Sequence, residues 1–94
     1  MKILVCCGSG LGSSFMIEMN IKKVLTELGV NGVDVNHADL SSAKGMPSDI
    51  YVGTRDIAVQ LTNLGGEVVS LNNMIDINEL KTKLKEALEK KGLI

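Results

Sequence analysis

Ile3-Leu4-Val5-Cys6-Cys7-Gly8-Ser9-Gly10-Leu11-Gly12-Ser13-Ser14 is an apolar run ending in two cysteines, with alternating glycines behind them and serines that open a helical pattern. Three consecutive apolar residues, rather than an alternation, mark a strand buried on both faces, over residues 2–6. The loop that follows runs through Gly12 into a helix N-terminus. Unpaired amide N–H groups and the positive end of the helix dipole converge there and attract an anion. A cysteine at the loop's first position, Cys7, stands in that positive field, so its thiol is expected to ionise readily and act as a nucleophile beside an anion site. The rest of the chain reads as a scaffold for this loop.

The scaffold is expected to be one domain over residues 1–94. A hydrophobic content of 45% is enough for a core, which is aliphatic because Phe15 and Tyr51 are the only aromatics. With a net charge of −1 and scattered cations there is no basic face, and with so few rings no stacking platform, so nucleic acid is excluded as a partner. No apolar run approaches the roughly 20 residues of a membrane span, and the start of the chain does not read as a signal peptide. The expected setting is a reducing cytoplasm, without direct membrane insertion. Adjacent cysteines do not form a structural disulfide, and the single histidine, His37, lies far from them in sequence. No metal and no cofactor are expected.

Onward from the loop, Ile17, Ile21, Val24, Leu25 and Leu28 recur at helical spacing up to Gly29. Phe15, Met16 and Met19 lie partly off that stripe and read as packing on a second face, with an adaptable apolar rim for a partner as the functional alternative. After the Asn31-Gly32 turn, residues 33–37 alternate as a half-exposed strand, and residues 39–47 read as loop with a short helical turn. Residues 49–52 form a third strand closed by Gly53, and Thr54 caps a helix carrying Ile57, Ala58, Leu61 and Leu64 up to Gly65-Gly66. Residues 67–71 are the fourth strand. Asp76, with Glu79 at capping-box spacing, opens a last helix whose inward stripe is Ile77, Leu80, Leu84, Ala87 and Leu88. Glu79–Lys83 and Glu86–Lys90 are spaced to support its outer face, and Gly92 stops it. Strands and helices that alternate in this way demand right-handed crossovers and a three-layer α/β fold. A four-stranded parallel sheet between helices is expected, with the order 2-1-3-4 in a Rossmann-like arrangement with a phosphatase-like phosphate loop. Ligands of such sheets bind beyond the carboxyl ends of the strands, where Cys7 lies.

Known phosphate loops test the assignment. A Walker A loop needs a lysine after its last glycine, and none stands between Lys2 and Lys22. The dinucleotide fingerprint is nearly met by Gly8-x-Gly10-x-x-Ser13 with Asp39 beyond the second strand, but serine replaces the third glycine and little chain remains for a substrate domain. Tyrosine-phosphatase-like loops carry an arginine six positions after the cysteine, where this chain has Ser13. Without that bidentate fork the loop can hold a phosphoryl group but is poor at hydrolysing a stable ester. Accepting phosphate from a high-energy donor needs no such arginine.

The run Cys-Gly-x-Gly-x-Gly-Ser-Ser after a first strand resembles the IIB components of the bacterial phosphoenolpyruvate-dependent sugar phosphotransferase system, the ascorbate and galactitol types above all. Asp49-Ile50 near the third strand and the tail Val68-Val69-Ser70-Leu71-Asn72-Asn73-Met74-Ile75 support the resemblance, which spans essentially the whole chain. It implies a phosphotransferase in which Cys7 accepts a phosphoryl group from a phosphohistidine of a IIA partner and passes it to a sugar bound by a membrane IIC component. Gly8, Ser9, Gly10, Leu11, Gly12, Ser13 and Ser14 would form the cradle, and the two serines are equally good helix caps. Cys6 departs from the family pattern and reads as a small core residue, with a resolving thiol as the alternative. His37 reads as a solvated or locally bonded side chain, with a proton shuttle as the alternative, and Asp39 as a loop cap, with a place flanking the site as the alternative. Arg55, Asn72 and Asn73 sit on the Cys7 edge as further candidates for contact with phosphate or a partner. Two other readings stand beside the carrier: a small cysteine-dependent phosphatase, and a thiol redox module using Cys6 and Cys7.

Overall fold

The computed structural model describes residues 1–7, 11–73 and 76–92, with residues 7 and 11–14 described by their backbone. Among the described residues the elements run β1 Lys2–Cys7, α1 Leu11–Leu28, β2 Asp34–Asp39, α2 Leu40–Ala43, β3 Ile50–Thr54, α3 Arg55–Leu61, β4 Glu67–Leu71 and α4 Ile77–Lys90. The sheet has the expected order β2-β1-β3-β4, and every pairing is parallel. Val5 lies opposite His37 on one side and Val52 on the other, and Thr54 lies opposite Leu71. All four strands therefore end on one edge. The chain leaves β1 for β2 on one flank and returns to place β3 on the other, which puts the topological switch point between β1 and β3.

The consecutive apolar residues of β1 divide between two cores. Ile3 and Val5 join Ile17, Ile21, Leu80 and Leu84 on the face covered by α1 and α4. Leu4 and Cys6 join Ala43, Ile57 and Leu61 on the face covered by α2 and α3, together with the ring of Tyr51. This burial on both faces is what an unalternating strand requires. Cys6 is 1% exposed, as expected of a core residue. At the end of α1, Gly29 takes φ +72°. Its N–H donates to the Thr26 carbonyl at 3.2 Å, and the Val30 N–H donates to the Leu25 carbonyl at 2.9 Å. That is a Schellman stop, with Val30 folding back onto the core.

Several boundaries differ from the sequence reading, each for a local reason. β1 runs one residue beyond the expected 2–6 and takes in Cys7, because its ladder with β2 continues to Cys7 opposite Asp39. For the same reason β2 occupies 34–39 rather than 33–37. Gly53 does not close the third strand but lies inside it, opposite Ser70. A Cβ there would stand 3.3 Å from the Cys6 carbonyl oxygen and 3.1 Å from Ile57 Cγ2, so the glycine allows β3 and α3 to approach β1 closely. α3 stops at Leu61; Leu64 belongs to the turn that follows, its N–H donating to the Leu61 carbonyl at 3.2 Å. Ile77 fits the apolar stripe of α4 by spacing but is exposed in the first turn, beyond the reach of the core. Lys90 does not pair with Glu86; its Nζ lies 3.2 Å from Glu67 Oε1 on β4. Phe15, Met16 and Met19 are not packing residues, being 53%, 37% and 56% exposed on α1.

Candidate functional site

The site expected from sequence lies on the carboxyl edge of the sheet. Cys7 is the last residue of β1. Gly8, Ser9 and Gly10 lie outside the described residues. α1 begins at Leu11, so Leu11, Gly12, Ser13 and Ser14 form its first turn. The first N–H groups of a helix have no partner within it, and with the dipole they make this end suited to a negative group. Three residues separate Cys7 from that helix end in sequence, beside the switch point.

The neighbouring strand ends are occupied by local bonds. Asp39, register partner of Cys7, caps α2: its Oδ1 accepts the Ser42 N–H at 2.6 Å. The Ser42 backbone N–H, and after it the Ser42 hydroxyl, hold this carboxyl below its usual range. A carboxylate committed in this way is a loop cap, as its position suggested. Thr54 stands at the N-cap of α3 without capping it; its Oγ1 donates to Asp56 Oδ1 at 2.8 Å, which lowers the Asp56 carboxyl. Arg55 follows, exposed, at the first position of α3.

Glu79 departs from the capping-box reading. Asp76 Oδ1 accepts the Glu79 N–H at 3.1 Å, as a cap should. The Glu79 carboxylate instead turns to the loop after β4, accepting the Asn72 N–H at 2.9 Å and the Asn73 N–H at 3.0 Å. Lys83 Nζ donates to the same carboxylate at 2.8 Å and also to the Ser70 carbonyl. Lys83 foremost, then the two backbone N–H groups, pull the Glu79 carboxyl down to about 2. The backbone of Asn72 and Asn73 is thereby pinned on the Cys7 edge, leaving both residues exposed.

One pair was missed by sequence reasoning. Glu18 of α1 is buried and its Oε1 lies 3.2 Å from His37 Nδ1 on β2. The Phe15 ring meets His37 edge-on, with centroids 6.2 Å apart and planes at 86°. The available signal was helical spacing, since Glu18 shares the stripe of Ile21, Leu25 and Leu28. Among the described residues, no group of three His, Cys, Asp or Glu side chains could hold a metal ion, and no helix is long and apolar enough to cross a membrane.

Comparison with known proteins gives the family and the fold. The family model for the PTS system, Lactose/Cellobiose specific IIB subunit, matches residues 2–86. An ascorbate-specific PTS system EIIB component of Mycoplasma pneumoniae is 29% identical over 89 residues, covering 92% of this chain and 93% of that protein. Its counterpart in Escherichia coli O157:H7 is 31% identical over 91 residues, covering 94% and 89%. The lactose-specific IIB component domain of the phosphoenolpyruvate:carbohydrate phosphotransferase system from Streptococcus pneumoniae superimposes with a TM-score of 0.61 at 21% identity, covering 97% of this chain and 93% of that one. That last likeness is one of fold. With a family model spanning almost the whole chain and relatives similar end to end, the chain belongs to the PTS lactose/cellobiose-specific IIB family.

Proposed function

We propose that residues 1–94 form a single phosphocarrier domain that accepts a phosphoryl group on Cys7 from a phosphohistidine of a IIA partner and delivers it to a sugar held by a membrane IIC component. The observation that carries the reading is the position of Cys7, at the carboxyl end of β1 and four residues before the first residue of α1. Gly8, Ser9, Gly10, Leu11, Gly12, Ser13 and Ser14 would supply the cradle. In the first step the Cys7 thiolate attacks phosphorus, the P–N bond of the phosphohistidine breaks as the S–P bond forms, and the imidazole leaves as a neutral ring after taking a proton. In the second step a sugar hydroxyl attacks the same phosphorus, the S–P bond breaks, the thiolate departs, and the hydroxyl proton passes to a base or to solvent.

The energetics favour directed hydrogen bonds over the dipole. The dipole of α1 would contribute about 0.3–1 kcal/mol, whereas each charge-assisted N–H bond to a phosphoryl oxygen is roughly twice as strong as a neutral one. Phe15, Met16 and Met19 would give the partner an adaptable apolar surface beside the site, consistent with their exposure. The names of the curated relatives favour an ascorbate-like substrate, with a galactitol-like one as the other type the sequence resembles, and the expected setting is the cytoplasm. Burial of Cys6 in the core weighs against a redox module that would use Cys6 and Cys7 together.

The test is a charge-and-chase experiment. The protein is charged with labelled phosphoenolpyruvate, the general phosphotransferase enzymes and a IIA partner, then mixed with IIC-bearing vesicles and ascorbate, galactitol, lactose or cellobiose in turn. Label leaving the protein and appearing as one sugar phosphate supports the reading. A charged IIA that never labels this protein refutes it.

A further inference from the structure

Among the described residues, Glu18 is the charged side chain held in the interior, 8% exposed. Its Oε1 lies 3.2 Å from His37 Nδ1, within hydrogen-bond reach. The pair joins two elements close to the candidate site. Glu18 follows Ser14 by four residues and so lies one turn below the first turn of α1. His37 precedes Asp39, the register partner of Cys7, by two residues, roughly 7 Å from the carboxyl edge. Phe15, one turn above Glu18, closes over the imidazole edge-on.

Stability alone does not explain a buried carboxylate here. Desolvation of such a group is costly, and replacing a buried ion pair with apolar residues of similar volume is often neutral or stabilising. Position 18 continues the apolar stripe of Ile21 and Leu25, where leucine would pack directly. What an apolar residue does not supply is direction. A hydrogen-bonded pair fixes how far α1 is rotated about its axis and how far it is slid along β2, and the first turn of α1 moves with both. We propose that Glu18 and His37 are positioning residues that set the start of α1 against the carboxyl edge, placing its first-turn amides for the phosphoryl group carried on Cys7. This rests on the carrier reading above, and a misplacement of about 1 Å at a reacting centre can cost on the order of a hundredfold in rate.

The test compares wild type with Glu18→Leu, which leaves the half-open His37 to be solvated, and Glu18→Gln, which keeps an acceptor in the same place. Charging by phosphorylated IIA is measured at varied donor concentration. Glu18→Leu is expected to melt near the wild-type temperature and to lose at least about tenfold in kcat with KM for the donor unchanged. Glu18→Gln is expected to stay within about threefold of wild type. If Glu18→Leu does not fold, the double variant Glu18→Leu/His37→Leu, which leaves neither group unpaired, is read in its place. A leucine variant that charges at the wild-type rate overturns the assignment, as does a Glu18→Gln that loses as much as leucine, since charge rather than placement would then matter. A second readout does not need the donor: iodoacetamide alkylation of Cys7 against pH, located by peptide mass. The leucine variant's profile is expected to move toward that of an ordinary thiol near about 8.5. Coincident profiles overturn the assignment even if wild type is never charged, the result that would instead remove the carrier reading.

Discussion

A single methyl group added at Gly66 tests the packing at the end of the sheet opposite the candidate site. A Cβ there would stand 2.6 Å from Tyr51 Cε2, 2.9 Å from Tyr51 Cδ2 and 2.7 Å from the Ser48 carbonyl oxygen. The ring has nowhere to go. Tyr51 is buried on the inner face, its hydroxyl accepts the Ser48 N–H at 3.0 Å, and it donates to the Met46 carbonyl at 3.3 Å. The Glu67 N–H, bonded to the Asp49 carbonyl at 2.9 Å, holds the glycine's own side of the contact. Overpacking costs about 1–3 kcal/mol and one strained or lost hydrogen bond about 0.5–1.5, while the stiffer unfolded chain returns about 0.4–1. Gly66→Ala should therefore destabilise by about 2 kcal/mol and lower Tm by roughly 8–16 °C. Urea unfolding followed by circular dichroism measures the first, and a thermal scan the second. Tyr51→Leu in the Gly66→Ala background removes the clashing ring carbons, so the pair should couple favourably by at least about 0.5 kcal/mol. A Gly66→Ala protein as stable as wild type, or strictly additive mutations, would refute the steric reasoning. The folded fraction should still accept a phosphoryl group at the wild-type rate, because Cys7 lies at the other end of β1.

Other outcomes follow from single contacts. Glu79 has a folded value of about 2 against an ordinary 4.5, so its contribution to stability is fully present above pH 4.5 and fades as the pH falls toward about 2. The stability gap between wild type and Glu79→Gln in urea titrations should narrow over that window, and a gap that does not change with pH contradicts the clamp on Asn72 and Asn73. Leu84, fully buried on the inner face of α4, should cost about 2–5 kcal/mol as Leu84→Ala in the same titrations, and a loss below about 1 kcal/mol would mean the core relaxes around it. Met19→Glu, on an exposed position, should leave Tm unchanged and raise KM for phosphorylated IIA; an unchanged KM removes Met19 from the partner surface.

Much of the architecture was legible because it is written locally. The unalternating Ile3-Leu4-Val5 demanded burial on both faces, and the two cores supply it. Gly29 stood where a left-handed residue ends a helix. The alternation of strands and helices called for a parallel sheet, and every pairing found is parallel. What escaped was whatever depended on a distant partner. Glu79 carried the spacing of a capping box, but the backbone N–H groups of Asn72 and Asn73 come within reach of its carboxylate only once β4 and α4 are packed. Gly53 reads as a turn in isolation and as a strand residue once its closeness to the Cys6 carbonyl is known. Glu18 drew no reading from the sequence because its partner is 19 residues away on another element. Phe15, Met16 and Met19 read as packing by sequence, yet all three are exposed on α1, with the Phe15 ring meeting the His37 ring edge-on.

Phosphorylation at Cys7 is most directly decided by intact-protein mass after incubation with phosphoenolpyruvate, the general phosphotransferase enzymes and a charged IIA partner. Wild type, Cys6→Ser and Cys7→Ser are measured side by side. One added phosphoryl group on wild type and on Cys6→Ser, and none on Cys7→Ser, is the predicted result. An adduct that persists on Cys7→Ser, or none on any of the three while IIA is demonstrably charged, would contradict the assignment of Cys7 as the carrier.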